Sequence, residues 1–246
     1  MPEVSGFAII AGIPPLYAIY SSAITVVVLS LFGGRPAMVS AAAGSIALLL
    51  TDMISKHGMA YMIYATLLAG IFQLVFGFFN IHKLIDYLPK SVMQGFVNSL
   101  AIMILMAQLK QVPHQSIAAI IMVVISIISM YVLPHWFIKT PPALIIMAIS
   151  ILVALLFKGA FEDIGSLADQ STITPHIGLP DIPFNMNTLL VILPTAVGIS
   201  LVGLIESLLT MPLINVMTNT EGNSKQETIG QGIGNVIASL LGGQGS

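Results

Sequence analysis

The sequence predicts an all-α integral membrane protein, and three observations support this prediction. Of the 246 residues, 57% are hydrophobic and 7% are charged, whereas soluble domains carry about 25% charged residues. Apolar runs close to the length that crosses a bilayer, about 20 residues, recur along the whole chain. The 14 prolines and 21 glycines favour broken helices over a plain helix bundle.

The same composition excludes several classes of function. A net charge of -2 provides no basic surface for a nucleic acid. The absence of cysteine excludes disulfides, thiolate metal sites and a cysteine nucleophile. The five histidines do not pair at the spacing of metal ligands, and no Ser-His-Asp or HExxH arrangement falls in an apolar span. We therefore expect neither an enzyme nor a cofactor.

Apolar segments divide the chain into successive predicted spans. The first is partial, covers residues 4–13 and ends at the Pro14-Pro15 pair. The later spans are predicted at residues 16–32, between 35 and 52, and at 59–79, 91–109, 116–133, 140–157, 188–211 and 229–241. Residues 80–90 are predicted to be an interfacial loop, and residues 215–228 a polar segment. Each span follows from its apolar length.

The third span begins with the small residues "AMVSAAAGS", residues 37–45. This composition predicts a half-helix that is entered by non-helical backbone. The N-terminus of such a helix directs free N–H groups into the membrane interior, where they can bind an anion. Ala43, Gly44 and Ser45 are the candidate residues. The alternative is tight helix packing through small side chains.

The longest polar stretch covers residues 158–187 and is acidic. The distribution of Lys and Arg favours a position outside the cytoplasm for it, and Arg35, the only arginine, is interpreted as a marker of the cytoplasmic side. The chain is therefore divided into a first membrane repeat at 1–157, an extracytoplasmic connection at 158–187 and the start of a second repeat at 188–246.

Glu206 lies inside the apolar stretch "GLIESLLTMPLIN". A carboxylate in a membrane span is costly, and such residues commonly mark pathways for ions or protons. Thr210 follows one helical turn later on the same face. A carboxylate with a hydroxyl suits a hard cation or a proton. The alternative is a structural carboxylate bonded to a neighbouring helix.

Two further motifs are weaker. Glu3 would lie near mid-membrane on a complete first span, with Phe7 on the same face; alternatively, Glu3 caps a helix near a true N-terminus. The "GQGIGN" motif, residues 230–235, has the wrong spacing for a dinucleotide loop, and no strand is predicted before it. We interpret it as a helix-packing surface.

In combination, several motifs resemble the SulP family of anion transporters. They are "PEVSGFAIIAGIPPLYAIYSS", "FGGRPAMVSAAAGSIALL", "YLPKSVMQGF", "GLIESLLT" and "GNSKQETIGQGIGNVIASLLGG". The resemblance implies fourteen membrane segments in two inverted repeats of seven. It also implies that the third and tenth segments are half-helices that meet at an anion site. A cytoplasmic STAS domain and a homodimer are further family features.

The resemblance implies a role for each candidate residue. Anion-facing positions correspond to Glu3, Phe7, Ala43, Gly44 and Ser45. Positions of sodium or proton coupling correspond to Glu206 and Thr210. The expected function is secondary active transport of a small inorganic anion, sulfate being the usual family substrate, across a bacterial cell membrane.

The tenth half-helix, the later spans and the STAS domain of the family are not in the sequence. We therefore expect the chain to be a piece of a longer protein, inactive in transport by itself. Three alternatives stay open: a bicarbonate transporter, a nucleobase/cation symporter of the same architecture, and a non-transporting membrane scaffold.

Overall fold

A computed structural model describes residues 2–36, 38–39, 43–81, 83, 87, 89–136, 141–157, 159, 161, 178–183 and 185–243. Within these ranges the chain forms α-helices and short 3-10 segments, one of them at Val112–His114, without any β-strand. The helices are α1 (Pro2–Ala11), α2 (Pro15–Phe32), α3 (Gly44–His57), α4 (Met59–Phe78), α5 (Lys90–Gln111), α6 (Ile117–Trp136), α7 (Pro142–Leu156), α8 (Met186–Thr218) and α9 (Ser224–Leu240).

Five of the described helices, α2, α4, α5, α6 and α8, are long and apolar enough to cross a membrane. Helix α7 is apolar but has 15 residues. The sequence-based prediction of an all-α membrane protein is confirmed. The predicted bounds of α2, α4, α5, α6 and α7 agree with the observed helices within a few residues, because long apolar runs define them.

The predicted polar segment at residues 215–228 is wrong at both ends. Helix α8 continues to Thr218, and α9 begins at Ser224 rather than at residue 229. Asn223 starts α9 early, because its side-chain oxygen accepts a hydrogen bond from the N–H of Gln226 at 3.0 Å. This cap satisfies a backbone donor of the first turn. Glu227 consequently lies in a helix and not in a loop.

Helix α3 also differs from the predicted third span. It begins at Gly44 and extends past Asp52 to His57. Asp52 lies within the helix on its exposed side, where it forms an ion pair with Lys56, one turn later, at 2.7 Å. The described residues between Gly33 and α3 are non-helical. The predicted non-helical approach to this helix is therefore confirmed.

The chain forms two compact units, one of Met1–Ile104 with Ala168–Ser246 and one of Leu105–Leu167. In the second unit, α6 packs against α7. In the first unit, α9 packs most extensively against α4 and then against α2. Helix α3 contacts α1, α4 and α8. Most of the predicted connection at residues 158–187 lies outside the described residues, so the predicted division into repeats stays a prediction.

Glycines let α9 approach its neighbours closely. A Cβ atom on Gly232 would lie 2.8 Å from the nitrogen of Leu74 and 2.9 Å from the oxygen of Gly70, both on α4. A Cβ atom on Gly230 would lie 2.9 Å from the Cα atom of Gly33, at the end of α2. Small residues at helix contacts are the usual means of close packing in membranes. The "GQGIGN" motif is thus a packing surface, as the sequence predicted.

A buried amide pair joins the same two helices. The Nδ2 atom of Asn235 donates a hydrogen bond to Oε1 of Gln73 at 2.8 Å. Both side chains are fully buried. Polar contacts between apolar helices stabilise membrane bundles modestly and fix which faces meet. Here the pair fixes the rotation of α9 about its axis against α4.

We expect Gly232→Ala to destabilise the first unit. The new methyl group would press on the backbone of α4, and overpacking of this kind costs about 1–3 kcal/mol. The matched control is Gly95→Ala on α5, because a Cβ atom there meets nothing within 4 Å. Thermal unfolding in detergent measures both. Equal melting temperatures for the two variants would contradict the close approach of α9 to α4.

Candidate functional site

The start of α3 is a helix N-terminus without a side-chain cap among the described residues. Ala43 precedes it with extended backbone (φ -92°, ψ 147°) and makes no side-chain capping hydrogen bond. Gly44 and Ser45 are buried. The first N–H groups of a helix have no intrahelical acceptor and carry the positive end of the helix dipole. The start of α3 is therefore chemically suited to an anion.

Phe7 of α1 closes over this helix start. A Cβ atom on Gly44 would lie 2.7 Å from Cε1 of Phe7 and 2.8 Å from Cδ1 of Ile104. Only glycine allows the aromatic ring to come this close to the backbone. Glu3 lies one turn before Phe7 and is exposed. It makes no hydrogen bond or ion pair with the described residues.

Ser45 joins the start of α3 to α8. Its hydroxyl donates a hydrogen bond to Oε1 of Glu206 at 2.7 Å. This is an ordinary length for a hydrogen bond that a hydroxyl donates to an oxygen atom. Ser45 is buried and Glu206 is half-buried. Two positions that the sequence singled out separately are in direct contact in the structure.

Thr210 is not joined to the carboxylate of Glu206. Its hydroxyl donates instead to the main-chain oxygen of Glu206 at 2.8 Å, a bond that threonines commonly make within helices. The Thr210 residue is exposed. Thr210 and Glu206 share one face of the helix, as expected. The Thr210 hydroxyl, however, donates to the backbone and not to the Glu206 side chain.

A second buried carboxylate, Glu227, was missed by the sequence analysis. Its side chain accepts hydrogen bonds from Gly34 N–H at 2.9 Å, from the Ser207 hydroxyl at 3.0 Å and from Nε2 of Gln231 at 3.2 Å. An ionised carboxylate has acceptors only, and these partners can all donate. The spacing of Asn223 and Gln226, typical of a helix start, could have placed Glu227 in a first turn.

Arg35 is not simply a topology marker. It is 6% exposed, because the end of α8 supplies enough oxygen atoms to receive its guanidinium group. Its Nη1 atom donates to the hydroxyl of Thr220 at 2.8 Å, and Nη2 donates to the oxygen of Ile214 at 3.1 Å and to the hydroxyl of Thr218. A cation near a helix C-terminus is favourable.

The two buried acids differ in what remains open to a ligand. Glu227 is 2% exposed and receives several donors. Glu206 is half-buried, and Ser45 is the one described residue that donates to its carboxylate. Acceptor sites on Glu206 are therefore available to a cation or a proton. The described residues contain no cluster of three or more His, Asp or Glu side chains that could hold a metal ion.

The sequence profile of the Sulfate permease family matches residues 1–116 and 111–245. The chain belongs to this family. YbaR of Bacillus subtilis (strain 168), a candidate sulfate transporter, is 39% identical over 243 residues, 99% of this chain and 51% of YbaR. The bicarbonate transporter BicA of Synechocystis is 27% identical over 88% of this chain and 43% of its own length. The chain thus spans about half the length of these relatives.

Solved structures share the fold. The transmembrane domain of a cyanobacterial bicarbonate transporter BicA superposes with a TM-score of 0.77 at 23% identity, covering 100% of this chain and 70% of that one. The murine anion transporter Slc26a9 in its inward-facing state gives 0.75 at 17% identity, over 99% and 48%. The expected fold class is confirmed. The chain is a multi-pass protein of the cell membrane, and its family consists of transporters rather than enzymes.

We expect the effect of Ser45→Ala on stability to depend on Glu206. In the native chain the carboxylate would lose its donor, at a loss of about 1.5–3 kcal/mol for a hydrogen bond to a charged group. In a Glu206→Leu background the same change should have little effect. The two melting-temperature shifts measure this coupling. The control is Ser30→Ala, whose exposed hydroxyl bonds only to Val27.

Equal shifts from Ser45→Ala in both backgrounds would contradict a direct Ser45–Glu206 contact.

Proposed function

We propose that this chain forms the anion-binding and ion-coupling part of a secondary active transporter for a small inorganic anion, with sulfate as the preferred substrate. Membership of the Sulfate permease family supports an anion, and the name of YbaR supports sulfate. The observation that carries the proposal is the 2.7 Å hydrogen bond from Ser45 to Glu206. It links a helix N-terminus, whose first N–H groups can donate to a ligand, to a carboxylate with further acceptor sites for a cation or a proton.

In this proposal the backbone, rather than a basic side chain, binds the anion. The amide groups at Gly44 and Ser45 donate to its oxygen atoms, and the dipole of α3 attracts its charge. Ala43 completes the helix start, and Phe7 covers it. Glu3 is assigned to the anion path through its position one turn from Phe7 on α1. Facing backbone groups from a tenth half-helix would complete the site.

Glu206 then explains coupling by electrostatics. Its negative charge, one hydrogen bond away from the start of α3, repels an incoming anion strongly in a medium of low dielectric constant. A proton or a sodium ion on Glu206 removes that repulsion, and Thr210 is the second proposed member of this cation site. Binding of the cation and of the anion therefore favour each other. The expected process is symport.

Glu227 is not proposed as the coupling acid. Its carboxylate already receives donors from three other residues, Gly34, Ser207 and Gln231, so a cation would have to displace hydrogen bonds in order to bind. Glu206, whose carboxylate receives a described donor from Ser45 alone, is therefore the proposed coupling group.

Bicarbonate is the second candidate substrate, because the relative BicA carries that name and matches most of the chain. Sulfate and bicarbonate are both small oxyanions, and a site made of backbone amides can bind either. A homodimer and the two inverted repeats, at 1–157 and 188–246, are part of the proposal through the resemblance. Crosslinking of the natively encoded protein in membranes would test the dimer.

Glu206→Gln should uncouple anion movement from the cation gradient. The protein as its host encodes it would be reconstituted in vesicles, and uptake of radiolabelled sulfate would be followed under imposed sodium or proton gradients. We expect the gradient to accelerate uptake by the native protein at least about tenfold, a difference of about 1.4 kcal/mol, and to leave the variant unaffected. Labelled bicarbonate in parallel vesicles identifies the substrate.

The control for Glu206→Gln is Asp52→Asn, which makes the same charge change at an exposed carboxylate. It should behave like the native protein. Gradient-driven uptake that survives Glu206→Gln unchanged would show that another residue couples the ion.

The 246-residue chain alone should fail to transport in the same vesicles. An anion held only by the N-terminus of α3 lacks the opposing half-helix that the family architecture provides. Uptake is compared with that of the natively encoded protein at equal amounts of folded chain. Gradient-driven uptake by the short chain would contradict the need for a second half-helix.

A further inference from the structure

We propose that Arg35 and Glu227 are positioning residues that fasten the connection between α2 and α3 to the turn between α8 and α9, and so hold Ser45 against Glu206. The latch consists of five residues: Gly34, Arg35, Thr218, Thr220 and Glu227. Its effect on transport rests on the proposed function, whereas its effect on structure can be measured without transport.

The first contact of the latch is Arg35 at the C-terminal end of α8. Its guanidinium group donates to Thr218, Thr220 and the main chain of Ile214. No carboxylate forms an ion pair with Arg35 among the described residues. Its Nε atom is buried without a hydrogen-bond partner in that part of the chain. The α8 end, with its negative dipole, therefore holds this buried cation in place.

The second contact is Gly34 at the start of α9. Its N–H donates to Oε2 of Glu227 at 2.9 Å, and its oxygen accepts from the N–H of Asn223 at 2.9 Å. A Cβ atom on Gly34 would collide with the main-chain oxygen of Asn223. The connection thus lies directly on the backbone at the start of α9. The negative charge of Glu227 is favourable in this first turn.

These contacts lead back to the proposed coupling residue. The start of α3 meets α8 at Glu206 through Ser45, and the α2–α3 connection meets it at Ile214 and Thr218 through Arg35. At 1.5 Å per residue, the second contact lies roughly 12–18 Å further along α8. Ser207, next to Glu206, donates to Glu227. Both acids and the connection are therefore tied to one stretch of α8.

The described residues of the connection, such as Met38, Val39 and Ala43, are non-helical. In this part of the chain, contacts to α8 and α9 rather than helical hydrogen bonds therefore hold the approach to α3. If the latch opens, the start of α3 can move relative to Glu206. The site would then bind its anion more weakly without any change in a residue that touches the anion.

Hydrogen exchange tests the latch directly. The variants are Arg35→Gln and Glu227→Gln, each in the natively encoded protein. The matched controls are Lys225→Gln and Glu221→Gln, which remove the same charges from exposed positions in the same turn. We expect exchange of the amides of Gly44 to Ala47 to be at least about tenfold faster in the latch variants, through local opening, and unchanged in the controls.

Sulfate uptake supplies the second measurement. The latch variants should raise the half-saturating sulfate concentration several-fold, while the maximal rate per folded molecule stays close to native. A purely structural role would reduce the folded amount and leave the half-saturating concentration unchanged. If the native protein moves no anion but the exchange at α3 still accelerates, the proposed function fails and the latch stands.

Two double variants with smaller changes provide a test in case Arg35→Gln or Glu227→Gln does not fold. Thr218→Val combined with Thr220→Val removes two acceptors of Arg35, whereas Thr218→Ser with Thr220→Ser keeps both hydroxyl groups. Faster exchange at α3 in the valine pair and native exchange in the serine pair would support the latch. Unchanged exchange in the valine pair, or acceleration spread evenly over all helices, would overturn it.

Discussion

The hydrogen bond between Ser45 and Glu206 is the contact on which the candidate site depends. An exposed backbone N-terminus inside a membrane must be satisfied by a ligand or by protein groups. A carboxylate in the same apolar surroundings has the same need. In the proposed function, bringing the two together links the binding of an anion to the charge on Glu206. Each group alone would be an unsatisfied polar group in an apolar medium, which costs stability. In the proposed function the pair couples two ions.

The packing of the neighbouring helices holds Ser45 and Glu206 in position. Helix α9 lies close to α4 and α2 because glycines replace side chains at the contacts, and the buried Asn235–Gln73 hydrogen bond fixes its rotation. The start of α9 then presents Glu227 to Gly34 and Ser207. The hydrogen bond from Ser207 to Glu227 thus connects the position of α9 to the turn of α8 that carries Glu206.

Much of the fold follows from the sequence because the bilayer imposes a simple rule of length and polarity. The long apolar helices and the abrupt start of α3 near Gly44 could be predicted from hydrophobic runs and small residues. Glu206 could be singled out because a charge within a span is conspicuous. The contact between Phe7 and Gly44 could not be predicted from the residues, since nothing local indicates that their helices meet.

Glu227 and Arg35 could not be assigned from hydropathy. Glu227 lies within a polar segment of the sequence, and its burial depends on the cap at Asn223 and on donors from Ser207 and from Gly34, which is far away in the chain. Arg35 follows a Gly-Gly pair and is typical of a surface loop in sequence. Its burial results from oxygen atoms at the end of α8, a contact between segments that no local pattern encodes.

The position of the bound anion is the most direct test. Selenate, a tetrahedral dianion that scatters X-rays anomalously, would be bound to crystals of the natively encoded protein. An anomalous peak at hydrogen-bond distance, about 3 Å, from the amide nitrogens of Gly44 or Ser45 is the expected result. A peak at the Arg35 guanidinium group, with none at the start of α3, would contradict a backbone anion site beside Glu206.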